Sequence, residues 1–584
     1  MIRHIAACAA LMLVVASSAP ALAQSRAQTQ LTAIFDAYEQ LDRRTDPLTA
    51  GFDGDREALR RLPDATPEAQ AALRAELVAI QANLERTPTR GLSDEDLLNR
   101  AYLLRVIGER VEGIDFDVGR MPISNGDGFF TLADYLAYTT PIQSAGDAEA
   151  WLARLEALPL YYRQNIANAR RGVASGFTQP RIVADRALDT ARAQVDTMSG
   201  TLLTPLAQMP ASIPAAEQES FRARARAIIE EQILPEHRAF IAFMENEYLP
   251  AARPQIGLST VPGGREYYSY LVRAYTTTTL TPEEIHQIGL DEVARIRAAM
   301  EREIEASGFE GDFAAFQHFL HTDPQFYATS AQDLVEKASE IAKRADDQLP
   351  RLFGRLPRLP YGVRVIPAES AEGSTTAYYT QGSPTLGMAG AYWVNTTHLD
   401  QRPLYELPAL TLHEAVPGHH LQIALSQEQT ELPYFRRNAF ETAFVEGWGL
   451  YAESLGEDMG IYRTPYERFG RLSYEMWRAC RLVADTGIHW MGWDIEQARR
   501  CFAENSALSP HNIQTELERY IATPGQALAY KIGELRLQAL RRDAAAALGA
   551  RFDIRAFHDV VLGAGALPLD VLETRVRAWI AAQS

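Results

Sequence analysis

From Arg26 to about Met300, apolar residues recur at intervals of three and four, as in Glu68-Ala-Gln-Ala-Ala-Leu-Arg-Ala-Glu-Leu-Val-Ala-Ile80. That period belongs to helices with one buried face. Thr281-Pro-Glu-Glu-Ile285 predicts a helix start, with a hydroxyl cap, proline at the first helical position and a carboxylate that can return to the cap; a long helix through Met300 follows. Around Pro360 the period shortens to two. Gly362-Val-Arg-Val-Ile-Pro367 and Gly387-Met-Ala-Gly-Ala-Tyr-Trp-Val-Asn-Thr396 read as strands bounded by glycine and polar residues. After Leu404 the helical period returns and holds almost to Ser584. The pattern predicts a mainly α fold with a small inserted β-sheet. No internal repeat or low-complexity linker divides the chain.

The first residues break this pattern. One cation, Arg3, precedes an apolar run from Ile5 to Val15, and Pro20-Ala-Leu-Ala23 ends in small residues. This is the layout of a signal peptide, 1–23, cleaved near Ala23. The run is too short for the roughly 20 apolar residues of a membrane span. The mature chain, 24–584, is expected in the periplasm or outside the cell, with an N-terminal helical part (about 24–300) and a later part (about 301–584) that carries the chemistry. Cys8 leaves with the leader, and Cys480 and Cys501 remain as a bridged pair or two free thiols. Of 584 residues 47% are apolar and 23% charged, and the formal charge is −18. That balance suits a large globular protein and gives no basic footprint for nucleic acid or anionic lipid.

The chemistry gathers in His413-Glu-Ala-Val-Pro-Gly-His-His420. A hydrolytic zinc centre needs two imidazoles, a third ligand, an open position for water and a carboxylate to take the water's proton. In the common H-E-x-x-H helix the two histidines share a face. Here Pro417 stands where the second histidine would be, and a straight helix would separate His413 from His420 by about 10.5 Å. Pro417-Gly418 must therefore interrupt the helix and bring a later histidine back. His419 is the favoured ligand, with His420 the alternative, and Glu414 is the candidate base. Glu446, 33 residues after His413 and followed by glycines at 447 and 449, is the expected third ligand. Glu453 either orients a ligating histidine or forms a structural ion pair.

These two segments, with Thr281-Pro-Glu-Glu-Ile-His-Gln-Ile-Gly-Leu290, Asp485-Thr-Gly-Ile-His489 and Pro524-Gly-Gln-Ala-Leu-Ala-Tyr-Lys531, resemble the bacterial domain of unknown function 885 family. That family is grouped with the zincin-like metallopeptidases of glutamate-ligand (gluzincin) type. The resemblance covers nearly all of the mature chain. It implies a helical zincin-like fold around a deep cleft, one zinc ion per chain and a peptide substrate. It raises His489 and Tyr530 as donors to the developing oxyanion, with Asp485 fixing the tautomer or charge of His489. Ala391, Tyr392, Trp393 and Asn395, just upstream of the metal segment, are expected to form an edge strand that pairs with an extended peptide. Arg478, Arg481 and Lys531 are candidates for capturing a terminal carboxylate. The competing expectation is a non-catalytic peptide-binding protein on a degenerate zincin scaffold.

Overall fold

The computed structural model describes residues 25–367, 371, 375–383, 387–437 and 439–583. The expected signal peptide lies outside them. The fold is mainly α with one small sheet, and among the described residues no helix is long and apolar enough to cross a membrane.

Eight helices bear on the site, and we number these in chain order: α1 (Pro282–Ser307), α2 (Leu407–Glu414), α3 (His419–Gln427), α4 (Thr442–Met459), α5 (Pro465–His489), α6 (Ile495–Asn505), α7 (Pro510–Ala522) and α8 (Ala529–Leu548). The start of α1 is the reciprocal cap expected from sequence. Glu284 N donates to Thr281 Oγ1 at 3.2 Å, and Thr281 N donates to Glu284 Oε2 at 2.8 Å. Helix α1 lies close along α5, since a Cβ on Gly289 would stand 2.8 Å from Leu482 Cβ. Helices α4 and α8 cross with their backbones in contact through Gly447 and Gly533. Cys480 of α5 and Cys501 of α6 form a disulfide, which resolves the alternative left open by the spacing.

The sheet has three strands: β1 (Tyr361–Val365), β2 (Ala377–Thr380) and β3 (Gly390–Val394). Strand β3 lies in the middle. It runs parallel to β1, with Tyr361 opposite Gly390, and antiparallel to β2, with Tyr379 opposite Tyr392. This corrects the expectation for Ala391 to Asn395, because both edges of β3 are taken by neighbouring strands and none is left for a substrate. Tyr392 is fully buried. Asn395, expected to face a cleft, is also buried; its amide donates to Ala371 O at 2.7 Å and Thr375 O at 3.1 Å, and its carbonyl accepts from Thr397 N at 3.0 Å. It ties down the chain next to the sheet.

The core is assembled from helix faces. One apolar cluster joins Tyr392 and Val394 of the sheet to Leu412, Leu421, Trp448 and Leu537. A second joins Ile296, Met476, Ala484 and Leu517 across α1, α5 and α7. Helices α2 and α4 contribute to the first and α5 to the second, so the candidate ligands sit on rigid, buried elements.

Candidate metal centre

Helix α2 ends at Glu414 and α3 begins at His419, so the chain departs from helical geometry over Ala415–Gly418. Polar groups freed by the break find partners. Ala415 N donates to Thr411 O at 2.9 Å, His420 N to Ala415 O at 3.1 Å, and Trp448 Nε1 to Pro417 O at 2.8 Å. A Cβ on Gly418 would overlap the carbonyl oxygens of His413 and Leu412, so only glycine allows the chain to fold back this closely. The Pro-Gly interruption inferred from sequence is thus an ordered bulge.

The bulge brings the rings of His413 and His419 to 4.6 Å between centroids, nearly perpendicular at 87°. Glu446 approaches from α4. Its Oε2 lies 3.5 Å from His413 Nε2 and 3.5 Å from His419 Nε2. The three donor atoms all fall within 4.8 Å of one another, and no other group of this kind occurs among the described residues. Tetrahedral zinc with bonds of about 2.0–2.2 Å separates neighbouring nitrogen and oxygen ligands by about 3.4 Å. The observed 3.5 Å is longer than a normal hydrogen bond and fits that ligand spacing. The donor set therefore fits zinc in both chemistry and spacing. Gly449 makes room for it, because a Cβ there would lie 2.7 Å from His413 Cε1 and Nε2.

Glu453 contacts both a candidate ligand and a cation. His413 Nδ1 donates to Glu453 Oε1 at 2.8 Å, which turns Nε2 toward His419 and Glu446. Arg478 pairs with the same oxygen at 3.2 Å and donates to Tyr474 O. Burial alone would lower His413, but Glu446 and Glu453 outweigh it and raise its pKa to about 9. Burial likewise works against the Glu446 carboxylate, yet the two imidazoles hold it well below the usual range. His420 faces elsewhere. Its Nε2 lies 3.0 Å from Leu359 O, its Nδ1 lies 3.0 Å from the Tyr379 hydroxyl, and burial pulls its pKa down to about 4. The neutral ring donates to Leu359 and accepts from Tyr379, which leaves no nitrogen for a metal.

Glu414 is the last residue of α2, beside the first histidine and outside the converging trio. Tyr530, at the start of α8, is half-buried. Burial and the nearby Glu446 carboxylate both raise its phenol above the ordinary value, and the Arg481 guanidinium lies 4.3 Å from its ring centroid. Tyr530 is thus within electrostatic reach of the candidate ligand Glu446.

Other expected residues serve the fold. His489 receives Leu258 N at Nδ1 (3.2 Å) and donates from Nε2 to Tyr520 O (3.0 Å), and burial lowers its pKa to about 3. A neutral ring with both nitrogens held by the main chain has no donor for an oxyanion. Asp485 accepts from the Tyr268 hydroxyl at 2.6 Å and from Gly525 N at 3.0 Å, so it does not orient His489. Lys531 is fully buried among Glu292, Glu475 and Glu534 at 2.7–2.9 Å. Arg478 is consumed by Glu453. Neither cation is free for a substrate carboxylate. Sequence reasoning missed Arg519, which faces Glu516 one turn earlier on α7; the i, i+3 spacing was the available signal.

The sequence pattern of a family described as "Bacterial protein of unknown function (DUF885)" matches residues 47–576. No curated protein matches the chain. Two similar solved structures both carry the words "putative lipoprotein". The one from Colwellia psychrerythraea is 27% identical, covers 96% of this chain and 100% of its own, and has a TM-score of 0.89. The one from Shewanella oneidensis, described as of unknown function, is 18% identical, covers 94% of this chain and 99% of its own, with a TM-score of 0.73, and shows likeness of fold alone.

Proposed function

The chain belongs to the DUF885 family of bacterial proteins of unknown function, and we propose that it is an exported, zincin-like zinc peptidase. The observation that carries this reading is the convergence of His413, His419 and Glu446, with 3.5 Å from Glu446 Oε2 to each imidazole, directly beside Glu414. Zinc held by this trio would supply Lewis acidity toward a peptide carbonyl and the water that attacks it. Glu414 accepts the proton of that water and passes it to the leaving amine, so the nitrogen departs neutral. The Tyr530 hydroxyl, kept protonated by burial and by the Glu446 charge, donates to the carbonyl oxygen as it gains negative charge. Glu453, backed by Arg478, keeps His413 in the tautomer that points Nε2 at the metal.

Because β3 has no free edge, it offers no strand-pairing site to a substrate. Export is supported by the leader-like N-terminus, by the Cys480–Cys501 disulfide, which suits an oxidising compartment, and by the lipoprotein description of the similar Colwellia psychrerythraea structure. The reading is tested by metal analysis together with hydrolysis of an internally quenched peptide library. About one zinc per chain, with hydrolysis lost on chelation and restored by zinc, is the expected result. Metal-free protein that binds peptides without cleaving them would replace it with the non-catalytic alternative.

A further inference from the structure

A second cluster of charges lies one side chain away from the metal ligands, behind Tyr530. Glu516 of α7 is the carboxylate hydrogen-bonded at the middle of this cluster, and one oxygen, Oε2, receives three donors: Arg481 Nη2 at 3.1 Å, Arg519 Nη2 at 2.9 Å and the Tyr520 hydroxyl at 2.6 Å. Arg519 Nη1 donates to Gln526 Oε1 at 2.6 Å, and Arg481 Nε donates to the Tyr520 hydroxyl at 2.9 Å. Arg481 Nη1 has no hydrogen-bond partner, although the side chain is only 4% exposed. Its other neighbours are rings, with Trp477 at 4.5 Å and Tyr530 at 4.3 Å from the guanidinium carbon. Rings attract a cation but bring no counter-charge.

The charges do not balance. Two guanidiniums face one carboxylate, and Glu516 is ionised: burial would raise it, but Arg519 and Arg481 outweigh that and hold its pKa at about 2. A buried cation with an unused donor is costly unless an anion completes it. Lys531, by comparison, is set among three carboxylates, and Arg478 pairs with Glu453. Arg519 is 32% exposed, and Glu516 also lines a cavity of about 860 Å³ that Tyr474 and His511 border. Tyr530 joins this cluster to the centre, since it feels Glu446, Arg481 and Arg519 together.

We infer that Arg481 and Arg519 form a carboxylate-binding subsite that fixes the register of the peptide relative to His413, His419 and Glu446. The inference rests on the peptidase reading for its substrate class. Guanidiniums suit this ligand because a planar carboxylate accepts two of their N–H groups at once. The carboxylate comes either from the peptide's C-terminus, which would make the protein a carboxypeptidase or a peptidyl-dipeptidase, or from an acidic side chain.

Binding separates these sources without turnover. In a Glu414→Gln background, calorimetry compares Ala-Ala-Ala as free acid and as C-terminal amide, and then Ala-Asp-Ala amide with Ala-Asn-Ala amide. The charged member of one pair is expected to bind about 10- to 100-fold more tightly than its neutral twin. Discrimination in the first pair assigns the C-terminal carboxylate, and in the second an acidic side chain. Arg519→Gln, at a partly exposed position, and Arg481→Gln should each shrink that preference to within about threefold. The comparison of acid with amide needs neither variant to fold. Equal binding within both pairs, no binding of any of the four peptides, or a preference that survives both arginine substitutions would overturn the subsite. Failure of the unsubstituted chain to hydrolyse peptides would instead count against the peptidase reading and leave a binding preference standing.

Discussion

Gly449→Ala is the most local perturbation of the metal centre. The new methyl carbon would lie 2.7 Å from His413 Cε1 and Nε2. Carbon contacts become comfortable only from about 3.5 Å, so the ring must retreat by about 0.8 Å. It cannot retreat freely, because its Nδ1 is held by the 2.8 Å hydrogen bond to Glu453. A displacement of that size exceeds the roughly 0.5 Å tolerance of a working ligand set. We expect zinc affinity to fall about 10- to 100-fold, the range found when a ligand's orienting partner is disturbed. Helix α4 itself should not suffer, since alanine favours the helical state over glycine by about 1 kcal/mol. Gly447→Ala, two residues earlier, is the control. Its Cβ would meet Gly533 Cα at 2.5 Å and force α4 from α8, so that variant should lose stability in the metal-free state. The assay is competition for zinc against a chromophoric chelator, with thermal melting of the metal-free proteins beside it. Unchanged zinc affinity in a folded Gly449→Ala variant would refute the geometry. Metal-free melting matters here because bound zinc would itself raise the apparent stability.

Three other outcomes follow from the same geometry. His419→Ala should lose zinc as Glu446→Ala does, whereas His420→Ala should retain it, because His420 is already spent on Leu359 and Tyr379; elemental analysis of the purified variants decides the matter. Lys531→Met leaves Glu534 without its cation and takes a donor from Glu292 and Glu475, which keep Arg295 and Arg471, and should destabilise the fold by about 3–5 kcal/mol, read as a lower denaturation midpoint. The melting temperature should depend on pH in two opposing limbs. Burial raises Asp485 to about 7, so its contribution is full below the ordinary aspartate value and is lost as pH rises through about 7; Glu516, held at about 2, contributes above the ordinary glutamate value and is lost as pH falls toward 2. Asp485→Asn should flatten the neutral limb relative to the unsubstituted chain, and an unchanged slope there would contradict the assignment.

How much of this was legible beforehand depends on how local each determinant is. The convergence of His413 and His419 was readable because they and Pro417-Gly418 lie within seven residues, and the bulge follows from what proline and glycine do to a helix. The cap at Thr281 was readable for the same reason. The place of β3 was not. Its second neighbour, Ala377–Thr380, is a four-residue strand whose pairing is set by the three-dimensional arrangement, and the sequence carries no period long enough to announce it. The roles of Lys531 and Asp485 were hidden because their partners are distant in sequence: Glu292 lies on α1 and Tyr268 on an earlier helix. His489 was misread because a helical histidine with a carboxylate one turn away looks poised for chemistry. Two backbone groups, Leu258 N and Tyr520 O, decide otherwise.

The most direct test of the central claim is the hydrolysis rate of Glu414→Gln compared with the unsubstituted chain, on the same peptide substrate and with zinc content measured in both. Glu414 stands beside the ligands and outside their converging set. The substitution should therefore leave about one zinc per chain and remove most turnover, on the order of 10²-fold or more. Equal rates in two zinc-loaded proteins would contradict a glutamate base and, with it, the proposed peptidase mechanism.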